Sequence, residues 1–209
     1  MLDVVNDNQM RPVNLALDNE YPVFNYIMEN SIITNASIHL VNSCIMKKIN
    51  NEVIMKLVSQ LDDINVFSND NMSPMFCAIR MENIELIDYL ITRNYNMEMK
   101  SAQNFNAFHY AVRYGTPKMV MFVLDMCPNL EEDTVDGWRI VHICAYYGMF
   151  DSIMYLLEKF VNLTIPIVRF KGENKEYLPI NLVEINANLK DDERQTLIDY
   201  MIQLMELQL

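Results

Sequence analysis

A pattern that returns every 33 residues constrains this chain more than any other feature. Pro74, Ala107 and Ile140 stand at that spacing, and each opens an apolar run: Pro74-Met75-Phe76-Cys77-Ala78-Ile79, Ala107-Phe108-His109-Tyr110-Ala111-Val112 and Ile140-Val141-His142-Ile143-Cys144-Ala145. A second apolar stretch follows each at a constant offset: Leu86-Ile87 with Leu90-Ile91, Met119-Val120 with Val123-Leu124, and Ser152-Ile153 with Leu156-Leu157. Apolar residues at i, i+1, i+4 and i+5 stripe one face of a helix. Two short helices per unit, each apolar on one side, cannot stand alone. Stacking identical units buries those sides as one continuous core in which contacts stay between neighbours.

The period, with a turn, a helix of T-P-L-H-x-A type and a second helix of V-x-x-L-L type, resembles the ankyrin repeat. Phe108-His109-x-Ala111 with Gly115, and Gly137 with His142, Ala145, Gly148 and Leu156-Leu157, carry the resemblance best. Looser copies start at Arg11-Pro12-Val13-Asn14-Leu15-Ala16, end at Asp62-Asp63-Ile64-Asn65, and restart at Leu178-Pro179-Ile180-Asn181-Leu182-Val183 after an insertion around Arg169 to Asn174. The resemblance implies an all-α solenoid with short β-turn fingers, one repeat domain over residues 1–209. Its units run approximately over 6–34, 35–67, 68–100, 101–133, 134–166 and 173–209.

Local chemistry fits this plan. Gly137 falls where the turn requires positive φ, and Asn71 and Asn104 hold the aligned positions as the next-best residue. Gly115 and Gly148 are expected to close their first helices in a left-handed cap, with Thr116-Pro117 as N-cap and first residue of the next helix. Glu82 replaces the closing glycine and Asn106 and Arg139 the usual threonine, so less regular turns are expected there. Leu2-Asp3-Val4-Val5-Asn6 resembles the close of a preceding repeat. Leu197 to Met205 reads as an amphipathic helix, with Asp191-Asp192-Glu193 placed where the helix dipole favours acid.

Composition narrows the function. At 51% hydrophobic, the 209 residues do not form a disordered chain. A net charge of −12 disfavours a nucleic-acid partner. Cys44, Cys77, Cys127 and Cys144 show no CxxC spacing, and no leader or membrane span is legible, which points to the cytoplasm with the nucleus as alternative. Four glycines leave no room for a phosphate loop, and no His/Cys cluster has metal-ligand spacing. His109 and His142 recur at one repeat position, where the resemblance implies a structural role bridging turns. The expectation is therefore a non-enzymatic chain with no cofactor, no metal, no small-molecule substrate and no membrane or nucleic-acid partner.

What remains is protein recognition. The resemblance implies binding along the concave face, through turn tips and exposed positions of the first helices. Carried onto this sequence, the tips are Met10, Met72, Phe105, Trp138 and Tyr177, with His39 assigned to the second unit. The helix positions are Arg80-Met81, Arg113-Tyr114 and Tyr146-Tyr147, with Lys47-Lys48 upstream. Turn tips have no core to fill, so bulky apolar side chains there call for a reason. Met72, Arg80, Met81, Phe105, Arg113, Tyr114, Trp138, Tyr146, Tyr147 and Tyr177 form the expected partner-binding set, suited to an acidic, partly apolar segment. Inhibitor and adaptor roles both stay open. So does the alternative of a structural segment within a larger array, and that of aromatic rings that merely pack on one another under arginine stems.

Overall fold

The computed structural model describes residues 16, 17, 24, 26, 36–127, 129–131, 137–159, 161–170 and 173–208. Met10, Leu2 to Asn6 and Arg11 to Leu15 lie outside the described residues. The chain divides into two compact units, Met1–Asn96 and Met97–Leu209.

In the first unit, α1 (Ile38–Met46) and α2 (Asn51–Val58) form one helical pair, and α3 (Pro74–Arg80) and α4 (Ile84–Thr92) the next. First helices pack on each other, α1 on α3, and so do second helices, α2 on α4. Each helix starts on a side-chain cap: Ser37 accepts from Leu40 N–H, Asn50 from Glu52, Ser73 from Phe76 and Asn83 from Leu86. Such caps are worth about 1 kcal/mol each. Phe76, Leu86, Ile87 and Leu90 are fully buried, and each stabilises the stack by roughly 1.5–3 kcal/mol. Polar side chains stitch one pair to the next. Asn42 Nδ2 donates to Met72 O at 2.9 Å, Tyr89 Oη to Met55 O at 3.2 Å, and Asn83 Nδ2 to Asn51 Oδ1 at 2.6 Å.

The second unit repeats the plan with α5 (Ala107–Tyr114) and α6 (Pro117–Leu124), then α7 (Ile140–Tyr147) and α8 (Phe150–Glu158). The insertion is an antiparallel hairpin of β1 (Ile167–Phe170) and β2 (Glu173–Tyr177), pairing Ile167 with Tyr177 and Arg169 with Asn174, with a register shift between Ile167 and Arg169. It leads into α9 (Pro179–Glu184) and the long α10 (Asp191–Gln208). The apolar face of α10, with Leu197, Met201 and Leu204 buried, packs on α8 and α9. Its last turn is tied down by Gln208, whose amide accepts from Leu163 N–H and donates to Val161 O.

The turns take the expected conformation, with φ of 57° at Asn71, 60° at Asn104 and 75° at Gly137. Two expectations change. Glu82 adopts φ 54°, the same left-handed closure that Gly148 adopts at 69°, so the turn stays regular and strain is carried by a non-glycine residue. Gly115, by contrast, is extended at φ −82°, ψ 162°. Its neighbour Thr116 precedes Pro117, which excludes helical backbone and holds Thr116 at ψ 160°, so the chain leaves α5 straight. Glycine is required there by space instead: a Cβ would lie 2.6 Å from Ala111 O.

Candidate functional site

In the second unit turn-tip and first-helix residues meet in two aromatic groups, one at α7 and one at α5. Trp138 stands immediately before Arg139, the N-cap position of α7, and its ring meets Tyr146 edge-on at 5.5 Å. Tyr146 meets Tyr147 edge-on at 5.0 Å. On the neighbouring α5, the Arg113 guanidinium lies 5.2 Å from the Phe105 ring and 5.3 Å from that of Tyr114. These are cation–π distances. Tyr114 also packs on Tyr110 at 4.6 Å. The helices α5 and α7 pack together, and the two groups occupy equivalent repeat positions at them. The rings do cover one another, yet Tyr114 keeps 48% of its surface exposed and Tyr146 37%. Tyr177 holds the equivalent place before the N-cap of α9, at the end of strand β2.

Tyr146 and Tyr147 also wall a cleft of about 300 Å³ with Leu182, Ile185 and Asn186. None of the last three belongs to the partner-binding set expected from the sequence. Asn186 is the organising residue: its amide donates to Ala145 O at 2.8 Å and Tyr146 O at 2.6 Å, satisfying carbonyls at the end of α7.

The first unit separates residues that the sequence placed together. Met72 and Arg80 line a cleft of about 240 Å³ with His39, Asn42, Met46, Lys47 and Asp70. Met81 lines a different one, of about 570 Å³, with Glu52, Glu82 and Glu85. Met81 is the C-cap of α3 and lines this second cleft, while Arg80 lines the first. His39 is not a turn tip. Ser37 caps α1, which places His39 exposed in the first helical turn. Lys48 takes φ 54°, the position of Glu82, and this moves the upstream basic pair by one residue: Lys47 aligns with Met81 and Met46 with Arg80. Lys47 Nζ donates to Leu17 O at 3.1 Å.

His109 and His142 are fully buried. His109 Nδ1–H donates to Asn106 Oδ1 at 2.6 Å, and the same oxygen accepts the His109 backbone N–H at 3.0 Å. His142 Nδ1 accepts from Arg139 N–H at 3.2 Å and its Nε2–H donates to Ile165 O at 3.0 Å, which bridges its own turn to the following segment. Burial pushes the His142 pKa from its ordinary 6.5 to about 4, so the ring is neutral. Burial raises the Cys44 and Cys77 thiols to about 12, and Cys144 is pushed up as well, so none is a thiolate nucleophile. Among the described residues no group of three or more His, Cys, Asp or Glu is placed to hold a metal ion, and no helix is long and apolar enough to cross a membrane.

The family model for ankyrin repeats, in three copies, matches residues 38–132. The ankyrin repeat domain of Bcl-3, described as a member of the IkappaB protein family, superposes over 96% of this chain and 86% of its own with a TM-score of 0.69 at 14% identity. This is an ankyrin-repeat fold. Significant likeness extends to 416 solved chains, so it marks an architecture and not an individual relative. No curated protein sequence matches the chain significantly. The matched ankyrin segment includes the loosely patterned α1–α2 pair and stops short of Gly137, although the α7 pair keeps the turn, the histidine and the left-handed closure. Ankyrin repeats are in general protein–protein interaction modules, and the fold is typically a non-enzymatic scaffold.

Proposed function

We propose that this chain recognises another protein, taking a partly apolar, acidic segment along the side that carries its turn tips and first-helix faces. The reading treats residues 1–209 as one repeat domain, working without catalysis or cofactor as an inhibitor or adaptor in the cytoplasm or nucleus. The observation that supports it best is the Trp138–Tyr146–Tyr147 cluster at α7, with Arg113 at the repeat position equivalent to Tyr146 on the adjoining α5. Its rings are large, partly exposed and held in place by neighbours, so little freedom is lost on contact. Trp, Tyr and Arg dominate interface hot spots.

The test is quantitative capture of a partner from native lysate, followed by affinity measurement with variants. Trp138→Ala is expected to weaken binding roughly thirtyfold or more, about 2 kcal/mol, with melting little changed. Arg113→Glu is expected to act mainly on the association rate and its salt dependence. Exposed Lys118 on α6 is the matched control. Asp125 cannot serve, because it accepts a hydrogen bond from Tyr155 Oη at 2.7 Å. Loss of binding in Lys118→Ala with retention in Trp138→Ala overturns the choice of face.

A further inference from the structure

The cleft between α1, the 68–72 turn and α3 has a chemistry that the aromatic cluster lacks. Lys47 and Arg80 line it with exposed His39, against a single acid, Asp70. That balance is the reverse of the chain as a whole, at −12. Asn42 lines the same cleft and is only 6% exposed. Its Nδ2 donates to Met72 O, which settles the amide's orientation, because turning it over would set oxygen against oxygen. Asn42 Oδ1 is then left buried with no donor. An orphaned buried acceptor is rare and calls for an explanation. Two of the side chains lining the cleft, Met46 and Met72, are methionines, whose three rotatable bonds let them turn aside readily.

We propose that this cleft receives an acidic residue of an extended partner peptide, with the side-chain carboxylate between Arg80 and Lys47 and a peptide N–H directed at Asn42 Oδ1. Arginine's planar fork matches a carboxylate. The buried acceptor asks for a donor that a fully ionised phosphate lacks, and the acidic chain repels a polyanion. A volume of about 240 Å³ suits one or two residues better than a free cofactor. The inference rests on the chain being a protein-recognition module, and it names the partner chemistry at one position of that surface.

The test is a titration of isotope-labelled full chain with N-acetyl-aspartate N′-methylamide at millimolar concentration, followed by NMR at the Arg80 Nε–H and Asn42 side-chain amide signals. Saturable shifts at both are expected. The asparagine analogue with wild type, and the aspartyl probe with Arg80→Gln, are each expected to bind at least about tenfold more weakly. Methylating the aspartyl nitrogen is expected to weaken binding while leaving the protein unaltered. Arg80 is exposed, so its variant is expected to melt as wild type. Absence of saturable shifts at Arg80 and Asn42 overturns the proposal, as does equal binding of the asparagine analogue. Inorganic phosphate binding as well as the aspartyl probe would make this a general anion site and overturn it too. A silent probe alongside intact Trp138-dependent capture removes this subsite alone, whereas lost capture with a responding probe removes the aromatic face alone.

Discussion

The pair α5–α6 and the pair α7–α8 are built on one 33-residue template, yet they close their helices by different chemistry. At the start of α5, Asn106 offers an acceptor, and His109 answers with Nδ1–H as donor. At the start of α7, Arg139 offers only its backbone N–H, and His142 presents Nδ1 as the acceptor and turns Nε2–H to Ile165 O. The same residue at the same repeat position therefore uses its Nδ1 in opposite roles, as donor in one unit and acceptor in the next. The ends differ as well: extended Gly115 before Thr116-Pro117, left-handed Gly148 before Met149-Phe150. The template dictates which residues are buried. Neighbours one to three positions away dictate which hydrogen bonds hold them.

Four measurements sharpen or break this contrast. Gly148→Val is expected to lower stability most, by about 4 kcal/mol. It places a β-branched residue at positive φ and drives a Cβ to within 2.9 Å of Asn186 Oδ1, the side chain that holds the end of α7. Gly115→Ala is expected to cost less, about 2 kcal/mol, because φ −82° suits alanine and only Ala111 O resists. Equal losses in urea titrations would mean that backbone conformation does not separate the two closures. Acid comes next. An unfolded histidine binds its proton near pH 6.5, while His142 in the fold does so only near 4. The unfolded chain thus holds the extra proton between these values. The contribution is intact above about pH 6.5 and is lost as pH falls towards 4, on the order of 3 kcal/mol in all. His142→Gln is expected to flatten that part of the stability–pH curve; an unchanged slope would assign it to other groups.

The third measurement compares the caps themselves. Asn106→Ala is expected to cost about 2 kcal/mol, since the cap and the partner of the His109 ring go together. Arg139→Ala removes no side-chain cap, only the ion pair with Glu131, and is expected to cost under about 1 kcal/mol. The smallest effect is a gain. Glu82→Gly relieves a left-handed glutamate and is expected to raise stability by about 0.5–1 kcal/mol. A loss in chevron or urea experiments would show that Glu82 makes a compensating contact.

The helical pairs and their buried faces were legible because apolar spacing repeats without gaps from Pro74 to Leu157. The positive-φ turns at Asn71, Asn104 and Gly137 were legible because few residues tolerate that backbone. The site was legible only in part. Trp138, Tyr146 and Tyr147 assemble through offsets within one unit. His39 misled, because α1 is two residues longer than α3, which shifts the alignment of the second unit. Asn42 was missed: inside Leu40-Val41-Asn42-Ser43-Cys44-Ile45 a lone amide resembles a tolerated polar residue, and its bond to Met72 O spans 30 positions. Asn186 was missed likewise, since its partners lie across the inserted hairpin.

The cysteines make the molecule its own clock. Cys44 and Cys77 lie buried in the first unit and Cys144 in the second, all with thiols too basic to react in place, while Cys127 is half-exposed. A thiol reagent added under native conditions therefore labels Cys127 first and must wait for the others until their unit opens. Mass-resolved labelling times at Cys77 and at Cys144 then report two opening rates separately, in one tube and without a mutation. If the array comes apart unit by unit, the two clocks run at different speeds; if it opens all at once, they strike together.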